Sequence, residues 1–203
     1  MSAAKKPVAV DLSELPDYLF GPGSIGFWGG IAFMLIEGMG FVLAVGAYFY
    51  LIPYEQQWPP GAPAPPLFWA TAGVLLALLS EVPNVLTSRR AKAQSLPGVK
   101  LWIVVTALFA AALIVVRALE FNAFNVRWDQ NAYGSISWGV LIMHHADLIT
   151  DAYDTFVLAA LVFTKPVDGR KFSDVDDNAL FWHFVVATWI LTYVIVYWVP
   201  RWV

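Results

Sequence analysis

Long apolar stretches separated by short polar segments dominate the chain from residue 24 onwards. A transmembrane helix needs about 20 mostly apolar residues, because each residue adds about 1.5 Å to its length. The pattern predicts an all-α polytopic membrane protein, with a polar tail over residues 1–23 and a bundle of five transmembrane helices over residues 24–203. We expect the charged segment 165–178 to be a loop. The predicted spans lie at about 24–52, 67–86, 99–119, 133–163 and 179–199.

The fourth apolar stretch carries a stripe of polar residues. His144, Asp147, Asp151 and Asp154 fall within roughly 80° of arc when successive residues are placed about 100° apart around a helix. Ionisable side chains are costly in hydrocarbon and rarely face lipid. We therefore expect this stripe to face the interior of the bundle, a water-filled cavity or a subunit interface.

Other ionisable residues lie within or close to the apolar stretches. Glu37 is near the middle of the first span, at a depth similar to that of His144 and Asp147 on an antiparallel span. Because burial disfavours a charged carboxylate, we expect Glu37 to be protonated and hydrogen-bonded to the fourth helix, at His144. Arg117 and Glu120 are three residues apart on one helix face, which predicts an ion pair near the outer surface.

The polar residues leave three kinds of role open: structural hydrogen bonding between helices, proton or water handling, and metal or haem binding. His144, Asp147 and Asp151 have the helical spacing of metal ligands, and His183 would add a fourth. The Glu-x-x-His pairs of di-iron bundles do not occur. Haem would need axial ligands, for which the sequence offers only His144, His145 and His183. We assign no metal site and predict a proton-handling or structural polar network of Glu37, His144, Asp147, Asp151, Asp154 and His183.

The first span begins with two small residues, Gly26 and Gly30, four positions apart. Small residues at this spacing lie on one face of a helix and let the backbone of a second helix approach closely. We therefore predict a helix-packing site at Gly26 and Gly30.

Composition supports a membrane protein and excludes several kinds of site. The chain is 59% hydrophobic and only 13% charged, whereas about a quarter of the residues in soluble domains are charged. The absence of cysteine excludes disulfides, thiolate metal sites and haem attachment through cysteine. A net charge of -3 without a basic patch gives no indication of a nucleic-acid partner.

The basic residues predict the orientation in the membrane. Five spans place the termini on opposite sides, and the side richer in Lys and Arg faces the cytoplasm. We therefore predict a cytoplasmic N-terminus and a periplasmic C-terminus. Nine of the twelve Lys and Arg fall on the N-terminal side, namely Lys5, Lys6, Arg89, Arg90, Lys92, Lys100, Lys165, Arg170 and Lys171.

Five short motifs follow one another along the chain. They are Phe-Met-Leu-Ile-Glu-Gly over 33–38, Trp-Pro-Pro over 58–60, Arg-Ala-Leu-Glu-Phe over 117–121, Tyr-Gly-Ser over 133–135 followed by His144, and Phe-Trp-His-Phe over 181–184. In this order they resemble the motifs of subunit III of the haem–copper cytochrome oxidases, in its short five-helix bacterial form. The resemblance covers nearly the whole chain from about residue 24.

The resemblance implies a non-catalytic, multi-pass subunit of a terminal oxidase in a bacterial inner membrane, which serves aerobic electron transport. Such a subunit holds no haem or copper, because these cofactors lie in partner subunits. It packs mainly on oxidase subunit I, with subunit II in the same complex, and binds phospholipid. It supports proton uptake and the stability of the oxygen-reducing complex.

Several residues depart from the family pattern. Asp147 replaces the second histidine of the fourth helix, and His145 and Asp151 replace glycines. Arg117 stands where the family has glutamine, and Val186 where it has an acidic residue. The fourth helix is therefore more acidic than the family pattern, which indicates a diverged member.

Three other functions fit the same residues. One is the subunit III-like protein of a nitric oxide reductase system. The second is a small transporter of protons or solutes that uses the acidic stripe. The third is a membrane enzyme with its own carboxylate metal site. The chains and metals that purify with this protein distinguish these functions.

Overall fold

The structure, a computed structural model, describes residues 18–203 and confirms an all-α protein without strands over that range. Most of the predicted polar tail lies outside the described residues. Short helical turns at Gly21–Gly23 and Ile52–Tyr54 flank the first helix, and a π-helical turn at Val194–Trp198 and a 3-10 turn at Val199–Arg201 follow the last. The five long helices are α1 (Ile25–Leu51), α2 (Phe68–Lys92), α3 (Leu96–Ala123), α4 (Ala132–Thr164) and α5 (Gly169–Tyr193).

Helices α1, α2, α3 and α5 are long and apolar enough to cross a membrane. Helix α4 has 33 residues and contains two histidines and three aspartates. Helices α1 and α4 agree with their expected spans to within one residue at each end. Helices α2 and α3 extend three to six residues beyond theirs, and α5 begins ten residues before its expected start, with helical turns that continue to Arg201.

Helices α2, α3, α4 and α5 pack around a shared core, and α1 lies outside it against α4 and α5. The core is rich in small and aromatic side chains, including Ala77, Ala110, Ala152, Trp182 and Trp189. Helix α1 buries only Phe41 and Tyr48, while large apolar residues such as Leu35, Ile36 and Leu43 stay exposed. That apolar surface suits lipid or a partner chain.

The expectation of a loop over residues 165–178 is wrong, because α5 begins at Gly169. Asp168 caps this helix by accepting a hydrogen bond of 3.1 Å from the backbone N–H of Lys171, and this bond lowers the pKa of the carboxyl. The polar first turns are amphipathic, and Phe172 and Val175 are buried against α3. Hydropathy marks the hydrocarbon-length part of a helix and misses turns that project beyond it.

Glycines allow close approach between helices at several described positions, and Gly26 and Gly73 are the two that bear on the site. A Cβ atom at Gly26 would lie 2.4 Å from Asp177 Oδ2 of α5, and one at Gly73 of α2 would lie 2.8 Å from Trp189 Cζ2. At Gly30 the nearest neighbour is Met34 of the same helix, 3.9 Å away. Within this chain, Gly26 therefore packs on another helix, whereas the expected contact at Gly30 stays a prediction about a partner.

Candidate functional site

A buried ion pair joins two turns of α3. Arg117 Nη1 donates to Glu120 Oε2 at 2.7 Å, and both residues are at most 3% exposed. Glu120 Oε1 also accepts a hydrogen bond of 2.6 Å from the hydroxyl of Tyr197, which follows α5. Both oxygens of this carboxylate therefore have donors, which a buried charge requires. The predicted ion pair of Arg117 and Glu120 is therefore present, and it is buried inside the protein.

His144 of α4 connects the buried ion pair of α3 to α5. Its Nδ1 lies 2.8 Å from Arg117 Nη2, and its Nε2 lies 3.0 Å from the carbonyl oxygen of Val185. A guanidinium can only donate, so Nδ1 accepts, and Nε2 donates its proton to the carbonyl. This arrangement fixes His144 as the neutral tautomer with the proton on Nε2.

Trp189 of α5 packs against both Arg117 and His144. The guanidinium carbon of Arg117 lies 4.2 Å from the centre of an indole ring, a cation–π distance. The ring of His144 lies 4.9 Å from the same side chain. Hydrogen bonds, the ion pair and aromatic contacts together surround the charge of Arg117, so the cluster ties α3, α4 and α5 to one another.

The expected hydrogen bond between Glu37 and His144 is wrong, because Arg117 and Val185 occupy both ring nitrogens of His144. Glu37 instead lies near Asp147, one turn further along α4. Asp147 is 5% exposed, and its Oδ2 has no hydrogen-bond partner among the described residues. Two carboxyl groups therefore meet between α1 and α4 beside the neutral histidine.

Asp151 continues the polar stripe into the contact between α4 and α5. Its Oδ1 accepts a hydrogen bond of 2.6 Å from Asn178, whose own side-chain oxygen accepts one of 3.1 Å from Thr155. Asp151 is 1% exposed, and within the described part of the chain its Oδ2 finds no donor. Asp154, which we expected to face inward with the others, is exposed on the open side of α4.

A groove of about 490 Å³ opens between α1, α4 and α5 beside these aspartates. On α1 it is lined by glycines, which leave the space that side chains would fill. Phe33, Val157, Leu158 and Phe181 add apolar walls. Four carboxyl groups line the groove, those of Asp151, Asp154, Asp174 and Asp177.

His183 lies apart from this network. Its Nδ1 is 2.5 Å from Glu81 Oε2 on α2, and its side chain is 44% exposed. Over residues 18–203 the structure brings together no group of three or more His, Asp and Glu side chains that could hold a metal ion. The spacing of His144, Asp147 and Asp151 along α4 does not become a ligand set, because each side chain has a different neighbour.

Sequence reasoning missed three members of the polar network. Tyr197 donates a hydrogen bond to Glu120, and Trp189 packs on the guanidinium of Arg117. Asn178 was assigned to a loop, yet it binds Asp151 from α5. These contacts depend on how α5 is rotated against α3 and α4, and no spacing within one helix reports that rotation.

No family model matches this sequence. The chain is similar to the cytochrome c oxidase subunit 3 of Thermostichus vulcanus, with 20% identity over 175 residues that cover 84% of this chain and 86% of the relative. The identity is low, but the match extends over most of both chains. Together with the order of the five motifs and the all-helical fold, this similarity supports a diverged member of the cytochrome c oxidase subunit III family.

Proposed function

We propose that this chain is a non-catalytic subunit III of a respiratory haem–copper oxidase. The observation that carries the proposal is the similarity to a cytochrome c oxidase subunit 3 over 84% of the chain. The proposed partners are oxidase subunit I, as the main contact, and subunit II. The proposed location is a bacterial inner membrane, with haem and copper held by the partner subunits.

The buried cluster supports a structural role in this chain. Arg117 and Glu120 pair with each other, and His144 bonds both Arg117 and the backbone of α5; among these groups only Arg117 Nε has no hydrogen-bond partner within the described residues. Breaking a buried ion pair is costly, which makes such a cluster sensitive to the relative placement of its helices. We infer that it fixes the bundle on which a partner subunit packs.

The outer surface of α1 supports assembly within the membrane. Its exposed residues are large and apolar, and a second groove of about 450 Å³, formed by Met34, Met39, Val42 and neighbouring residues, is almost without polar groups. In a bilayer these surfaces face acyl chains or another subunit. We propose that they hold phospholipid at the subunit boundary and protect the complex during proton uptake and turnover.

Purification of the tagged full-length chain from native membranes in mild detergent tests the proposed function. We expect haem and copper to purify in fixed ratio with partner chains that carry them, together with oxygen-reducing activity. Co-purification with a haem and non-haem iron complex that reduces nitric oxide would contradict the oxidase. A metal in fixed ratio to this chain alone would contradict a non-catalytic role.

A further inference from the structure

Carboxyl groups form a series from the surface to the interior on one side of α4. Asp174 and Asp177 lie in the first turns of α5 and line the groove together with Asp154 and Asp151. Asp147 follows one turn further along α4, and Glu37 of α1 lies against it. Successive members on α4 are three or four residues apart, which places neighbouring side chains about 5–6 Å apart at their Cβ atoms.

Asp151 stands where the groove meets the protein interior. It is 1% exposed and lines the groove, yet among the described residues its Oδ2 has no hydrogen-bond partner. A buried carboxyl oxygen without a donor needs either a proton of its own or water. The groove has room for several waters, which its carboxyl groups would hold by hydrogen bonds.

The cations around this series lie at its outer end. Arg170 lines the entrance beside Asp174 and Asp177, and Ser24 is the neutral polar group that faces Asp177. Lys92 also lies near Asp177, at the same outer end, while it pairs with Asp176 at 3.2 Å. The inner carboxyl groups thus have no described cation beside them until the series reaches Arg117.

The inner end of the series is closed by His144. Both of its ring nitrogens already take part in hydrogen bonds, so the ring cannot accept a proton from Asp147 and pass it on. Behind it lies the guanidinium of Arg117, which can only donate hydrogen bonds and so offers no acceptor to a proton that moves further. Protons that reach Asp147 can therefore return only the way they came.

We propose that the groove and the buried carboxyl groups behind it form a one-sided proton path, which leads from the N-terminal end of α1 to Asp147 and Glu37 and ends at His144. Each step moves one proton from a carboxyl group through water to the next carboxylate. The path stores and exchanges protons at mid-membrane depth without conducting them across. This proposal goes beyond the proposed function and does not depend on which complex contains the chain.

The absence of native cysteine allows the path to be mapped with single cysteines in the full-length chain. Asp154→Cys, Asp151→Cys and Asp147→Cys are treated, in native membrane vesicles of each orientation, with a membrane-impermeant methanethiosulfonate that carries a trimethylammonium group. Two controls flank them on α4: Val140→Cys, buried beyond His144, and Ile149→Cys, 47% exposed on another face.

We expect Asp154→Cys and Asp151→Cys to react at least tenfold faster than both controls, with Asp147→Cys in between, and only from the side that holds the start of α1. Labelling at the rate of the controls, or equally from both sides, would overturn the proposal. In liposomes the wild-type chain should maintain a pH gradient as long as empty liposomes do. Rapid loss of that gradient would show a path open at both ends and would also overturn it.

Discussion

At the scale of single residues, the clearest feature is a charge held where no water reaches it. Arg117 is 0% exposed and bonded to Glu120 and His144, in a position where the family pattern has a neutral glutamine. A buried pair of charges adds little net stability compared with apolar residues, but removal of one partner leaves the other charge uncompensated. The consequences of substitution should therefore depend on whether one or both charges are removed.

We predict that Arg117→Leu destabilises the chain by about 3–5 kcal/mol, since Glu120 would remain as a lone buried carboxylate. The double variant Arg117→Leu with Glu120→Leu should regain part of that loss. Denaturant unfolding in mild detergent measures the free energy of unfolding of both variants. The control is Arg127→Leu, which removes an exposed pair with Asp129 and should cost at most about 1 kcal/mol. Equal losses of stability for Arg117→Leu and Arg127→Leu would contradict a structural role for the buried pair.

At the scale of helices, packing depends on a few positions where a side chain is missing. Gly73 allows α2 to lie against the indole ring of Trp189, and that ring in turn supports Arg117 and His144. The position of one glycine on α2 thus influences the polar cluster between α3, α4 and α5. Gly73 and Ala77 have the small-xxx-small spacing, but this spacing does not identify Trp189 as the side chain that packs there.

We predict that Gly73→Ala destabilises the chain by about 1–3 kcal/mol, because the added methyl group would lie 2.8 Å from Trp189 Cζ2 and force the ring aside. Gly139→Ala is the matched control on α4, where no described atom lies within 4 Å of the new Cβ atom. Replacing glycine in a helix should stabilise that control slightly. Unfolding midpoints in detergent distinguish the two variants, and equal midpoints would refute close packing at Gly73.

At the scale of the whole molecule, the helices and the inward placement of most polar residues could be predicted from hydropathy. Apolar length and helical period are local properties, and they identified the helices and the shared face of His144, Asp147 and Asp151. The partners of these residues are not local. The rotation of α5 about its axis brings Asn178 to Asp151. Arg117 bonds His144, and Glu37 lies near Asp147 instead. Such choices depend on three helices at once.

The orientation of the whole molecule in the membrane is a separate prediction from its basic residues. The structure gathers the basic helix ends together, as Lys92 pairs with Asp176 of α5 and Lys100 lies 5.0 Å from the ring of Phe163 on α4. At the other end, Arg201 donates a hydrogen bond of 2.6 Å to the carbonyl of Pro65. The end richer in Lys and Arg should be cytoplasmic, since positive charge resists transfer across the membrane.

Fusions of the chain to alkaline phosphatase, which is active only outside the cytoplasm, measure this orientation. We predict an active fusion after Val203 and an inactive fusion after Gln94, in the turn between α2 and α3. Fusions of a fluorescent protein that folds only in the cytoplasm provide the reciprocal control and should fluoresce only at Gln94. The opposite pattern would show that the chain has the opposite orientation in the membrane, with the entrance of the acidic groove in the periplasm. Equal activity at both sites would mean an even number of crossings between them and would remove α4 or another helix from the set of transmembrane helices.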